Sequence, residues 1–157
     1  THETKAYQAA ENNHVDHILD ASTVPADITD QTASMAADIG LKLAESLDLI
    51  GLLAVEMFVM GDGTVVMNEI APRPHNSGHW TQDGAQTSQF EQFVRAITGQ
   101  PLGETKMTRP VKMQNLIGDA VKQSPSFFNN PNAKIHLYGK HEIRPGRKMG
   151  HVNILEP

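Results

Sequence analysis

Residues 52–71, LLAVEMFVMGDGTVVMNEIA, decide the fold class. Two apolar runs of strand length, 52–59 and 64–71, flank Gly61-Asp62-Gly63, and a short glycine-rich turn between such runs signals a β-hairpin. With the turn centred on Asp62-Gly63, Glu56 lies opposite Glu69; a slip of one residue sets Glu56 opposite Asn68 instead. Directly opposed side chains have Cβ atoms roughly 4.5–5.5 Å apart, where like charges repel. Such a pair persists most easily with a cation between the acids. Mg²⁺ suits it, being commonly held by one or two carboxylates plus substrate phosphates. The alternative sends one glutamate to solvent and pairs the other with Lys or Arg. The first hundred residues offer only Lys5, Lys42, Arg73 and Arg95 for that purpose.

Directly after the second strand comes PRPHNSGHWTQDGAQT (72–87), whose Pro, Gly, Asn and Ser predict a long ordered loop. Arg73, His75, Asn76, Ser77 and His79 crowd into it, and loops held by a rigid strand often carry binding residues. His75 and His79 have an i, i+4 spacing that brings metal ligands together only on a helix, and Pro74, Ser77 and Gly78 oppose one. A polar pocket is the better expectation, with Arg73 meeting an anion and His75 or Asn76 meeting hydroxyls or an amine. Ser88-Gln89-Phe90-Glu91 forms a capping box for a helix with an expected core face of Phe90, Phe93, Val94 and Ile97.

Upstream, 14–24 (HVDHILDASTV) reads as one strand. Met35, Ile39, Leu43 and Leu47 recur at helical spacing from about Asp30 to Leu49, with Gly51 as the stop. Beyond Gly99–Gly103, where a domain boundary is placed, short β-like pieces follow at 111–117, 134–138 and 147–155.

Composition bounds the rest. The 157 residues are 39% hydrophobic and 20% charged with no cysteine, which suits a folded core and excludes disulfide scaffolds and thiol chemistry. No membrane-length apolar run and no secretory signal pattern occur. The net charge of −5 conceals a split, −10 over residues 1–100 and +5 over 101–157. The densest basic run, Lys140, Arg144, Arg147 and Lys148 against Glu142 alone, suggests contact with an anion. Nucleic acid is disfavoured, the whole chain being acidic and only 5% aromatic.

AVEMFVMGDGTVVMNEIAPRPHNSGHWTQDGAQTSQFEQFVRAITGQPLG, MQNLIG (113–118) and YGKHEIRPGRKMGHV (138–152) together resemble the N5-carboxyaminoimidazole ribonucleotide synthase family. The likeness runs from about residue 11 to 153. It implies an α+β fold: the C-terminal half of an ATP-grasp domain, an antiparallel sheet with packed helices (1–100), then a small β-rich domain (101–157). It implies a ligase reaction in purine synthesis. ATP phosphorylates bicarbonate to carboxyphosphate, and 5-aminoimidazole ribonucleotide takes up the carboxyl group. The implied roles are Glu56 and Glu69 as Mg²⁺ ligands, Asn68-Glu69 at the ATP phosphates and His14 on the nucleotide. Arg73, His75 and Asn76 fall where bicarbonate and substrate meet, and Lys140 and Arg147 hold the ribonucleotide phosphate.

The family further implies a homodimer and a cytoplasmic location, with no membrane or nucleic-acid partner. Its members are longer, with an N-terminal part carrying the glycine-rich loop over the nucleotide. Starting at Thr1 and holding no such loop, this chain is expected to be a fragment incompetent for the full reaction alone. Two alternatives are carried. One is an enzyme like formate-dependent glycinamide ribonucleotide transformylase, which has a similar NE…PRPH stretch. The other is a non-catalytic anion- or metal-binding module.

Overall fold

The computed structural model describes residues 3–156. The described residues form seven strands: β1 (Glu11–Val15), β2 (Ile18–Val24), β3 (Ala54–Val59), β4 (Val65–Ala71), β5 (Val111–Ile117), β6 (Ala133–Leu137) and β7 (Lys148–Leu155). Three α-helices, α1 (Asp30–Ser46), the single turn α2 (Thr81–Gly84) and α3 (Gln89–Ile97), and two 3₁₀ segments, Asn76–Gly78 and Gly118–Asn129, accompany them among the described residues. Two sheets result. The larger has the antiparallel order β1-β2-β5-β7-β6, and the smaller is the β3–β4 hairpin.

Strands β5 to β7 follow the expected pieces to within a residue. The large sheet joins chain from both sides of residues 99–103, because β2 pairs β5 from Ala21↔Gln114 to Val24↔Val111. Its core is Leu19, Val24, Val111 and Met113 on the sheet, covered by Trp80 from the loop. That cover draws the 72–87 loop down onto the β-sheet.

Three expectations need correction. The segment 14–24 is two strands, folded at Asp16-His17, where both residues have positive φ (49° and 62°). That is the backbone of a two-residue hairpin turn, usually signalled by Asn-Gly or Asp-Gly, and no glycine marks it here. Helix α1 ends at Ser46, with Asp48 at φ 49° turning the chain before Gly51 is reached.

Helix α3 starts at its Ser88 cap, whose side chain accepts from the Glu91 N–H, but it buries the opposite face from the one expected. Gln89 and Gln92 are 2% and 4% exposed, whereas Phe90, Val94 and Ile97 are 40%, 55% and 51% exposed. The carboxamides are buried because they take the place of backbone partners. Gln92 both donates to the Gly103 carbonyl (2.9 Å) and accepts from its N–H (2.8 Å). Gln89 does the same for His75.

Candidate active site

The hairpin supplies the first pair. In its register Glu56 faces Glu69, and the pairing then shifts so that Met57 faces Met67. Asn68 is therefore the extra residue of a β-bulge, a device that re-aims side chains beside functional sites. Glu56 is half-buried and Glu69 exposed, with no Lys or Arg bridged to either among the described residues. That is the arrangement anticipated for a cation between two acids.

The loop delivers His75 to the same place. Its Nε2 lies 3.8 Å from Glu56 Oε1. Its Nδ1 accepts from the Ser77 N–H at 3.4 Å and contacts Ser77 Oγ at 2.8 Å, capping the 3₁₀ turn Asn76–Gly78. An acceptor role for Nδ1 leaves the proton of the neutral ring on Nε2, facing the carboxylate. Burial pushes the His75 pKa down, and the neighbouring Arg73 and Lys148 add to this while Glu56 opposes them. His75 is thus a neutral N–H donor at pH 7, and its approach to Glu56 is polar contact rather than ion pairing.

Lys148, the first residue of β7, completes the cluster. Burial lowers its pKa, Glu56 draws it back up, and Arg73 and Lys140 lower it further. The charges of Arg73 and Lys148 are therefore both felt at His75, and that of Arg73 at Lys148. The Arg73 guanidinium spends one N–H on the Pro74 carbonyl (3.1 Å) and is otherwise exposed. Lys140 joins from the side, its Nζ donating to the Lys148 carbonyl (2.6 Å) and lying 5.6 Å from the Tyr138 ring centre. Arg147 donates to the Glu142 carbonyl (3.0 Å), and the Glu142 carboxylate is taken by Arg144 (2.6 Å). Arg147 therefore meets no carboxylate among the described residues.

Two expected residues sit differently. His14 is exposed on β1, an edge strand three places from β7, with no side-chain hydrogen bond among the described residues. Asn76 has its whole carboxamide engaged. It donates to Asn115 Oδ1 (3.0 Å) and accepts from Asn115 Nδ2 (2.6 Å), which also donates to the Leu19 carbonyl (2.8 Å). Asn76 and Asn115 thus tie the loop to the large sheet.

Behind this tie lies a polar layer that sequence reasoning missed. His79, His151 and His136 stack in a row with ring centres 4.8 and 4.6 Å apart. Asp83 accepts from both His136 Nε2 (2.8 Å) and Asn153 Nδ2 (2.7 Å). Lys148 was visible only as part of a basic run, and Gln89, Asn115 and Asp83 carried no signal. Their partners come from strands and loops far away in sequence.

The donor set suits one kind of cation. Among the described residues no group of three or more His, Cys, Asp or Glu is placed to hold a metal ion, and the one histidine near the pair, His75, turns a protonated Nε2 toward Glu56. Two carboxylates fit Mg²⁺ completed by water and phosphate oxygens, and do not fit a closed zinc site. His75 and His79 each have Nδ1 engaged by a neighbour, so the loop histidines are not a zinc pair.

The candidate site is thus a carboxylate pair beside a loop-borne histidine, on a hairpin packed against α1. Residues 1–90 match the model of the ATP-grasp domain, and the chain belongs to that family. Residues 112–157 match the phosphoribosylaminoimidazole carboxylase C-terminal domain. The chain is 49% identical to N5-carboxyaminoimidazole ribonucleotide synthase of Bacillus subtilis, covering 98% of this chain and 41% of that protein. It is 50% identical to the synthase of Brucella melitensis, covering 96% and 42%. Among solved structures, the ADP complex of the purK synthetase superposes with TM-score 0.95 at 50% identity over 98% of this chain and 41% of that one. The Aspergillus clavatus synthase in complex with ADP and 5-aminoimidazole ribonucleotide gives 0.92 at 35% identity, over 96% and 42%. The chain therefore spans about two-fifths of the length of these relatives.

The resemblance read from PRPHNSGHWTQ and RPGRKMGH is thus confirmed, and so is the α+β class. No helix among the described residues is long and apolar enough to cross a membrane.

Proposed function

We propose that this chain supplies the metal-and-phosphate side and the substrate clamp of an ATP-dependent carboxylation. Bicarbonate is phosphorylated to carboxyphosphate with release of ADP. The exocyclic amine of 5-aminoimidazole ribonucleotide then takes the carboxyl group and phosphate leaves. The observation that carries this reading is the Glu56–Glu69 pair with His75 Nε2 3.8 Å from Glu56.

In this reading Glu56 and Glu69 hold Mg²⁺, which when bound neutralises charge on the ATP phosphates. Asn68 is set by the bulge to reach the same phosphates. Arg73 and Lys148 hold the anion formed from bicarbonate, and positive charge aimed at developing negative charge is the main source of catalysis in such transfers. His75 donates its Nε2 proton as a hydrogen bond without giving it up, since its lowered pKa keeps it neutral. Asn76 acts through Asn115, holding His75 in place. Lys140 and Arg147 clamp the ribonucleotide phosphate, and His14 contacts the nucleotide from the edge of the large sheet.

The reading keeps two sequence units, 1–100 and 101–157, folded onto one sheet, and a cytoplasmic homodimer as the working assembly. The 157 residues hold no glycine-rich loop to cover a nucleotide, so alone they are expected to turn over no ATP. The test is ADP release by the full-length product of the gene. Release should require aminoimidazole ribonucleotide and bicarbonate together. Release supported by formate and glycinamide ribonucleotide, or by neither pair, overturns the proposal.

A further inference from the structure

The carboxamide of Gln89 is buried, 2% exposed, at the first turn of α3. Its Oε1 accepts from the His75 N–H (2.9 Å) and its Nε2 donates to the His75 carbonyl (2.8 Å), as a neighbouring β-strand would. The second Nε2 hydrogen goes to His79 Nδ1 at 2.8 Å. The flipped amide would set N–H against N–H and carbonyl against carbonyl at His75, so this orientation is forced. An amide nitrogen only donates, so His79 Nδ1 is an acceptor and the ring proton sits on Nε2. The Gln89 backbone N–H is itself tied to Thr81 Oγ1 (2.8 Å), and Thr81 donates to the Gly78 carbonyl (2.6 Å). A Cβ on Gly78 would lie 2.6 Å from Gln89 Oε1 and 2.9 Å from its Cδ. Glycine at 78 is what leaves room for the amide.

We propose that Gln89 is a positioning residue for the anion site. One side chain fixes the His75 backbone, and so the direction of His75 Nε2, while selecting the tautomer of His79. The assignment of an anion to Arg73 and His75 rests on the function proposed above; the geometry of Gln89 does not.

Three variants of the 157-residue chain test it: Gln89→Glu, Gln89→Met and Gly78→Ala. Long-range proton–nitrogen spectra of the imidazoles read the tautomers, and deuterium exchange reads the His75 amide. Gln89→Glu keeps an acceptor for the His75 N–H but turns an acceptor toward both His79 Nδ1 and the His75 carbonyl, so His79 Nδ1 should gain a proton. Gln89→Met and Gly78→Ala should both speed exchange of the His75 amide by about tenfold or more. They should also weaken binding of inorganic phosphate, followed at the His75 ring nitrogens, by about tenfold, because a displacement near 1 Å is enough to cost this much. Gly78→Ala retains Gln89 and serves if the Gln89 variants fail to fold. An unchanged His79 tautomer in Gln89→Glu, or unchanged His75 exchange and phosphate affinity in Gly78→Ala, overturns the proposal. None of these readouts uses ATP turnover, so failure of the ADP-release test on the full-length gene product would sink the reaction above and leave Gln89 decided by the spectra.

Discussion

Acid should unfold this protein through its histidine stack, well before its carboxylates protonate. Burial holds His79 down at about 4 and His151 at about 3, with His79 lowering His151 further, against an ordinary value of 6.5. Neighbours that bear on them include Lys148 and His75 for His79, and His136 for both. A folded-state pKa below the unfolded one means the unfolded chain binds more protons, so stability rises with pH. The contribution is complete above 6.5 and is lost as pH falls toward the folded values. Between about pH 7.5 and pH 5 the unfolded state gains nearly one proton at each ring while the native state gains almost none. At ~1.36 kcal/mol per pH unit, each ring then costs about 2 kcal/mol, or about 4 for the pair.

A loss of about 4 kcal/mol is a large part of the ~5–15 kcal/mol of a typical domain. The assay is urea unfolding followed by circular dichroism at the two pH values, with the slope m compared to exclude a change in the unfolded state. A further ring, His75, is shifted in the same direction and adds to the loss. A change below about 1 kcal/mol would refute the reasoning, since it would mean the rings accept protons without leaving the native state.

Three other perturbations have definite signs. Glu69→Gln should stabilise the metal-free protein by roughly 0.2–1 kcal/mol, since it removes a like charge facing Glu56, while weakening Mg-ADP binding at least about tenfold; thermal melts with and without Mg-ADP show both. Asn115→Leu should destabilise by about 1–3 kcal/mol, because it strands the half-buried Asn76 amide and the Leu19 carbonyl, and denaturant unfolding measures it. Lys148→Met should weaken binding of aminoimidazole ribonucleotide or bicarbonate by about tenfold, whereas Arg144→Met, whose partner is the exposed Glu142, should change it by less than about twofold; initial-rate kinetics on the full-length gene product separate the two.

Much of this architecture was legible because its elements are local. The glycine-rich turn announced the β3–β4 hairpin, and Glu56 does face Glu69, but through the bulge at Asn68: beside the turn, from Val59↔Val65 to Met57↔Met67, the pairing is the one-residue slip. The C-terminal strands announced themselves by β-rich runs between Pro, Asn and Gly clusters. Helix α3 was found by its Ser88 cap, yet its buried face was misread, since apolar periodicity assumes that a core takes apolar residues. Here the facing loop exposes unpaired backbone groups at His75 and Gly103, and glutamine satisfies them where phenylalanine could not. The turn at Asp16-His17 was hidden for a different reason, because Asp and His adopt positive φ without the glycine that normally marks it. The site was half legible: acids and loop residues lie close in sequence, but Lys148 and Asn115 reach it only through long-range strand pairing, and the partners of Asp83 lie on β6 and β7.

The most direct test of the central claim follows one oxygen atom. The full-length gene product is supplied with ATP, aminoimidazole ribonucleotide and oxygen-18 bicarbonate, and the released phosphate is weighed by mass spectrometry. If bicarbonate attacks the terminal phosphorus beside Arg73, His75 and Lys148, each phosphate carries a single labelled oxygen, and Glu56→Gln abolishes its formation. Unlabelled phosphate released at the full rate would mean that water, not bicarbonate, is the nucleophile, and would contradict the account.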